Sequence, residues 1–148
     1  MAASRNYSNG DARLVGTWRL LSWEREFRGS AKTEQPVGSQ PNGVLMLSAN
    51  GRIMDMVTAS GRQAGDTDAA QAALYRTMLA YSGQYRIDGD RFITTVQVSW
   101  NEAWNGNEQE RFYRLSKNRL SITSAWTPHP TLPGAPMVRN IRSWRREA

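Results

Sequence analysis

The feature that most constrains this 148-residue chain is the rhythm of its turns. Asn42-Gly43, Asn50-Gly51, Asp88-Gly89 and Asn105-Gly106 are pairs that accept the positive φ values of tight hairpin turns. Around them lie runs that alternate in polarity or are rich in β-branched and aromatic residues: 15–27, 43–48, 52–59, 82–88, 91–100, 107–115, 119–126 and 137–146. They read as eight strands. The runs 43–48 and 52–59, joined through SANG, form one expected hairpin, and 82–88 and 91–100, joined through DGDR, form another. Connections this short make neighbours antiparallel.

One segment breaks the pattern. DTDAAQAALYRTMLAYS has no Gly or Pro and opens on helix-capping chemistry. Asp68 and Gln71 have capping-box spacing, with Asp66 and Thr67 as rival caps. Ala70, Leu74, Met78 and Tyr81 fall on one stripe, which predicts a helix over about 67–80. A lone helix within a strand meander is expected over one open end of a closed sheet. The fold expected is therefore all-β: an eight-stranded antiparallel up-and-down barrel with one inserted helix capping an end. Closure removes the edges that a flat sheet would expose. A sandwich would show longer crossovers and no such insertion. At eight strands the interior is either filled by side chains or wide enough for one small ligand.

Composition narrows the classes. The length fits one domain, expected over 14–148 behind a partly flexible N-terminal extension, 1–13. There is no cysteine, hence no disulfide frame and no thiolate chemistry, which suits a reducing cytoplasm. MAASRNYSNGDAR has no apolar signal-type core, and no run approaches the length of a membrane span. A cytoplasmic chain without a membrane span is expected. The net charge of +6 raises nucleic acid or an acidic ligand as partners. The arginines are scattered among acids, however, and only Arg139, Arg142, Arg145 and Arg146 approach a cluster. Nucleic-acid binding is disfavoured on that ground.

The opening LVGTWRLLSWE carries Gly16-Thr17-Trp18, and the last strand carries Trp144-Arg145-Arg146. Together they resemble the calycin pattern of lipocalins. NGVLMLSANGRI, AYSGQYRI and WNGNEQERFYRL make the likeness closer to the bacterial and fungal lipocalin-like domain family. The blocks spread over about residues 14–146. The resemblance implies a lipocalin-like barrel in which Gly16 and Trp18 pack under Arg145 or Arg146 and close the bottom. It also implies a family with few assigned functions, some relatives isomerising or cyclising natural products. Where that family commonly has a His-His pair, this chain has Thr94 and Thr95, so no role for those imidazoles carries over. On strand parity, Trp23 is expected on the face opposite Trp18.

Candidate ligand contacts follow from parity along each strand. On the run 107–115, the charged set Glu108, Glu110, Phe112 and Arg114 reads as outward. Gln109, Arg111, Tyr113 and Leu115 read as inward. Arg111 and Tyr113 form an Arg-x-Tyr, as fatty-acid-binding barrels use for a carboxylate. A guanidinium beside a phenol in a dry cavity suits a carboxylate or enolate oxygen. The competing reading pairs Arg111 with an internal acid such as Glu24, or leaves it at the rim. Tyr85 shares a face with Gly83 and Ile87. On the run 91–100, either Thr94, Val96, Val98 and Trp100 or Thr95, Gln97 and Ser99 face inward. Met46, Met54 and Met56 are adaptable gap-fillers, and Trp126 is a further aromatic candidate. The bland alternative for these aromatics and methionines is core packing.

Dedicated catalytic patterns are missing. The one histidine, His129, lies in TPHPTLPGAP, a loop expected to be exposed, and no Gly-x-Ser-x-Gly accompanies it. One His and no Cys argue against zinc, and Asp66-x-Asp68 lacks the rest of a calcium loop. No Gly-rich phosphate loop follows a strand, so no cofactor is expected. Two functional readings stand. The first is a barrel binding a small hydrophobic or amphipathic molecule, acidic ones included. The second is a cofactor-independent isomerase or cyclase in the same cavity, with Arg111, Tyr113 and Tyr85 polarising an oxygen.

Overall fold

Alternating sequence becomes alternating burial. In RIMDMVT, Ile53, Asp55 and Val57 are buried while Met54 and Met56 are exposed. A computed structural model describes residues 11–148. Most of the extension expected over 1–13 lies outside the described residues. The strands are β1 (Gly16–Phe27), β2 (Thr33–Glu34), β3 (Asn42–Leu47), β4 (Arg52–Thr58), β5 (Met78–Asp88), β6 (Arg91–Ser99), β7 (Glu108–Ser116), β8 (Arg119–Ser124), β9 (Thr127–Pro128) and β10 (Met137–Arg146). A helix, α1 (Asp68–Arg76), precedes β5. The sheet runs β1-β3-β4-β5-β6-β7-β8-β10, all antiparallel, and β10 pairs back onto β1. That closure makes an eight-stranded up-and-down barrel, with β2 and β9 as short marginal additions.

Two bulges reset which side chains face inward. Leu20 pairs with Trp144 and Ser22 with Ser143, so Leu21 is an extra residue on β1. One extra residue exchanges the two faces beyond it. Trp18 and Leu20 are buried before the bulge, and Trp23 and Arg25 point inward after it. The expectation that Trp23 faces away is therefore corrected. The second bulge falls between Ser82↔Val98 and Gly83↔Val96, leaving Gln97 as the extra residue on β6. Thr94 and Val96 stay inside, whereas Val98 is 65% exposed. Gly83 permits this close approach, since a Cβ there would meet the Thr95 carbonyl oxygen at 1.9 Å.

The helix is shorter than its stripe predicts. Thr67 caps it by accepting from the Ala70 amide at 3.1 Å, and it ends at Arg76. Met78 and Tyr81 already belong to β5, paired with Thr58 and Asp55 of β4. Ladder pairing with β4 overrides the helix propensity of TMLAY. No residue of α1 is buried; Tyr75 leans on the Trp100 ring with centroids 6.4 Å apart. The helix stands at the rim of the open end.

The opposite end is closed by packing. Trp18, Trp144, Leu14, Leu45, Tyr85 and Phe92 are at most 2% exposed there. Trp18 Nε1 donates to the Leu14 carbonyl at 2.9 Å. The Arg146 guanidinium lies 4.2 Å from the Trp18 ring centroid, and Trp18 and Arg146 are register partners. Arg146 also donates to the Val15 carbonyl at 2.8 Å and to that of Arg13. Arg145 points out and is exposed. Gly16 has φ +144°, and a Cβ there would sit 2.6 Å from Arg146 Nη1. Glycine is thus what lets the guanidinium cross over the chain and reach the indole.

Candidate functional site: the barrel cavity

The open end leads into a cavity of about 400 Å³, within the size range of small-molecule sites. Its walls are aromatic: Trp23, Tyr81, Trp100 and Trp104 all line it. Trp100 and Trp104 meet edge to face at 4.8 Å, and Trp104 contacts Tyr81 at 5.8 Å. A short helical turn, Glu102–Trp104, held by the Asn101 side chain, presents Trp104. Below lies a second chamber of about 10 Å³, sharing Tyr81, Gln109, Arg111, Ile122 and Arg142 with the larger cavity.

The polar groups are concentrated at that junction. Asp55 lies inward on β4 between Ile53 and Val57, and its side chain is fully buried. Arg142, inward on β10, crosses the barrel to reach its Oδ2 at 2.8 Å. Trp23 and Trp144 stack on the same guanidinium, at 5.2 and 5.4 Å. Burial works against the charge on Arg142, but Asp55 and the Tyr81 side raise its pKa overall. Burial, then the Asp55 charge, pushes the Tyr81 phenol well above its ordinary value. The remaining Asp55 oxygen, Oδ1, is buried and makes no hydrogen bond among the described residues, although the Tyr81 phenol, its cross-strand neighbour, lines the same chamber.

Arg111 faces this junction from β7 and is in a different state. Among the described residues its only hydrogen bond is to the carbonyl of its neighbour Glu110, at 2.9 Å, and no carboxylate pairs with it. Glu24, the partner considered for it, is exposed on β1. Burial first, and then the positive charge of Arg142, lowers the pKa of Arg111, with Tyr81 and the Asp55 charge opposing them only in part. Cavity and chamber together carry Arg25, Arg76, Arg111 and Arg142 against Asp55 alone, an excess of positive charge.

Arg25 is held from behind. Its Nη1 meets Glu34 at 2.7 Å, and Glu34 also meets His129 Nε2 at 2.7 Å. His129 is 7% exposed and stacked on Phe27, which corrects the expectation of an exposed loop histidine. Its Nδ1 accepts from the amides of Thr131 and Leu132, which leaves Nε2 to donate to Glu34. The imidazole is committed to structure: it folds the Pro-rich loop back onto β1 and β2.

Of the sequence candidates, the structure brings Arg111 and Trp100 to the cavity. Tyr113 lies further down β7, where its hydroxyl meets Asp11 at 3.2 Å. Tyr85 is stacked on Phe92 in the closed end and donates to the Ser48 carbonyl at 3.1 Å. Arg111, Tyr113 and Tyr85 therefore do not converge on one oxygen. The reason is rise along the strand: residues of equal parity share a face but occupy successive levels of the barrel. Gln97, as the bulge residue, is outside and accepts from Arg52 at 2.7 Å. Met46 and Met54 are about half exposed on the outer surface, because the parity that buries Leu45, Leu47, Ile53 and Asp55 turns them out. Trp126 lies beyond the lining, between Arg139 at 4.7 Å and Arg28 at 5.9 Å. Asp55, Arg142, Trp23 and Trp104 are site residues that the sequence reading missed. Parity alone signals Asp55 and Arg142; the Leu21 bulge hides Trp23.

Among the described residues no group of three or more His, Cys, Asp or Glu is placed to hold a metal ion, and no helix is long and apolar enough to cross a membrane. A model of the lipocalin-like domain family matches residues 15–147. No curated protein matches the chain. A solved structure, an uncharacterized protein from Bacteroides eggerthii DSM 20697, is 13% identical, with 90% of this chain and 98% of that one covered at a TM-score of 0.44. That likeness is too loose to carry a site across.

Proposed function

The chain belongs to the lipocalin-like domain family, a fold that serves small-molecule binding in general, and we propose that it binds an amphipathic organic acid in its barrel cavity. One observation carries the reading: Arg111, turned into an aromatic cavity with no carboxylate partner among the described residues. A guanidinium whose charge is opposed by burial and by a neighbouring arginine gains most from an entering anion. The aromatic walls fit an apolar or aromatic body, and the acid group sits at the junction where Arg111 and Arg142 meet. Binding, rather than the isomerisation or cyclisation weighed above, is favoured because the two phenols of that scheme lie in the closed end.

The test uses the cavity tryptophans as reporters. Titration with 3-phenylpropionate is expected to change their emission saturably, and 3-phenylpropanol, its uncharged counterpart, to bind at least tenfold more weakly. Equal affinity for acid and alcohol overturns the reading.

A further inference from the structure

Asp55 Oδ1 is the least expected atom in the cavity. A buried carboxylate oxygen without a donor is costly, and most such groups find a partner. Asp55 is 2% exposed, and its other oxygen is taken by Arg142. The small chamber it lines has a volume of about 10 Å³, the space of a single water-sized group. Arg111 lines the same chamber from β7 and the larger cavity above it. An anion-seeking cation and a donor-seeking carboxylate thus address one small space.

We infer that the ligand is a 2-hydroxy acid: its carboxylate takes Arg111, and its hydroxyl enters the chamber and donates to Asp55 Oδ1. This rests on the acid-binding reading above and narrows it. A hydroxyl is the size of the chamber and can make the hydrogen bond that Oδ1 lacks. A plain acid places the same carboxylate on Arg111 but leaves Asp55 Oδ1 without a hydrogen bond. An ether at the same carbon is too large and donates nothing. Thr94, buried on β6, lines the same chamber and can accept or donate as the hydroxyl requires.

The test compares three probes on the unmodified protein by tryptophan fluorescence and calorimetry: 3-phenyllactate, 3-phenylpropionate and 2-methoxy-3-phenylpropionate. 3-Phenyllactate is expected to bind at least tenfold more tightly than either of the others. Asp55→Asn offers an amide in place of the carboxylate and is expected to reduce that preference to less than threefold. Because this change also weakens the pair with Arg142, the ligand series on the unmodified protein decides the matter. Equal binding of 3-phenyllactate and 3-phenylpropionate overturns the hydroxy-acid assignment and leaves the acid-binding reading standing. Binding of none of the three overturns both.

Discussion

Removing Asp55 tests how the barrel interior is organised. Asp55→Ala leaves Arg142 buried beneath Trp23 and Trp144 with its counter-ion gone, since its side chain is only 11% exposed. Breaking a buried pair by deleting one partner costs about 3–5 kcal/mol. For a chain of this length, each kcal/mol moves the melting temperature by roughly 2–4 °C, so a fall of about 6–20 °C is expected. The double replacement Asp55→Leu with Arg142→Met removes both charges and fills the space with apolar atoms. It is expected to recover most of the loss, because well-packed apolar substitutes for a buried pair are often neutral or stabilising. Differential scanning calorimetry of the three proteins measures both effects. A melting temperature unchanged in Asp55→Ala, or a double variant as unstable as the single one, would refute the account of a cross-barrel ion pair.

Trp18→Ala removes the fully buried indole that carries Arg146 and is expected to cost roughly 3–5 kcal/mol in chemical denaturation, against less than about 1 kcal/mol for exposed Leu21→Ala. Glu34 provides a pH signature. Its hydrogen bond to Arg25, then that to His129, lowers its pKa below the ordinary 4.5. The pairing therefore stabilises the fold above about pH 4.5 and is lost as pH falls through the lower folded value. The melting temperature of the unmodified protein should exceed that of Glu34→Gln near neutrality, with the gap narrowing in acid. A gap independent of pH contradicts the pairing.

The barrel was legible because its determinants are local. Asn-Gly and Asp-Gly turns, period-two strands and Gly16-Thr17-Trp18 all declare themselves in short windows. Alternation along β7 gave Gln109, Arg111, Tyr113 and Leu115 the correct face. The candidate site was less legible, for two physical reasons. Parity assigns a face but not a level, so Arg111 and Tyr113 looked like partners although one meets the cavity and the other the closed end. Bulges at Leu21 and Gln97 then exchange faces within a strand, and nothing in the residues themselves marks Leu21 as extra. The His129–Glu34–Arg25 contacts join the neighbouring strands β1 and β2 to a loop some hundred residues on and have no sequence signature.

The central claim is that Arg111 receives the acid group of a ligand. Isothermal titration of 3-phenylpropionate into the unmodified protein and into Arg111→Gln tests it most directly, with thermal melts confirming that both are folded. Hydrogen bonds to charged groups contribute about 1.5–3 kcal/mol, so affinity should fall roughly ten- to a hundredfold in Arg111→Gln. The loss should shrink for the uncharged alcohol. Undiminished affinity for the acid in Arg111→Gln would contradict the claim.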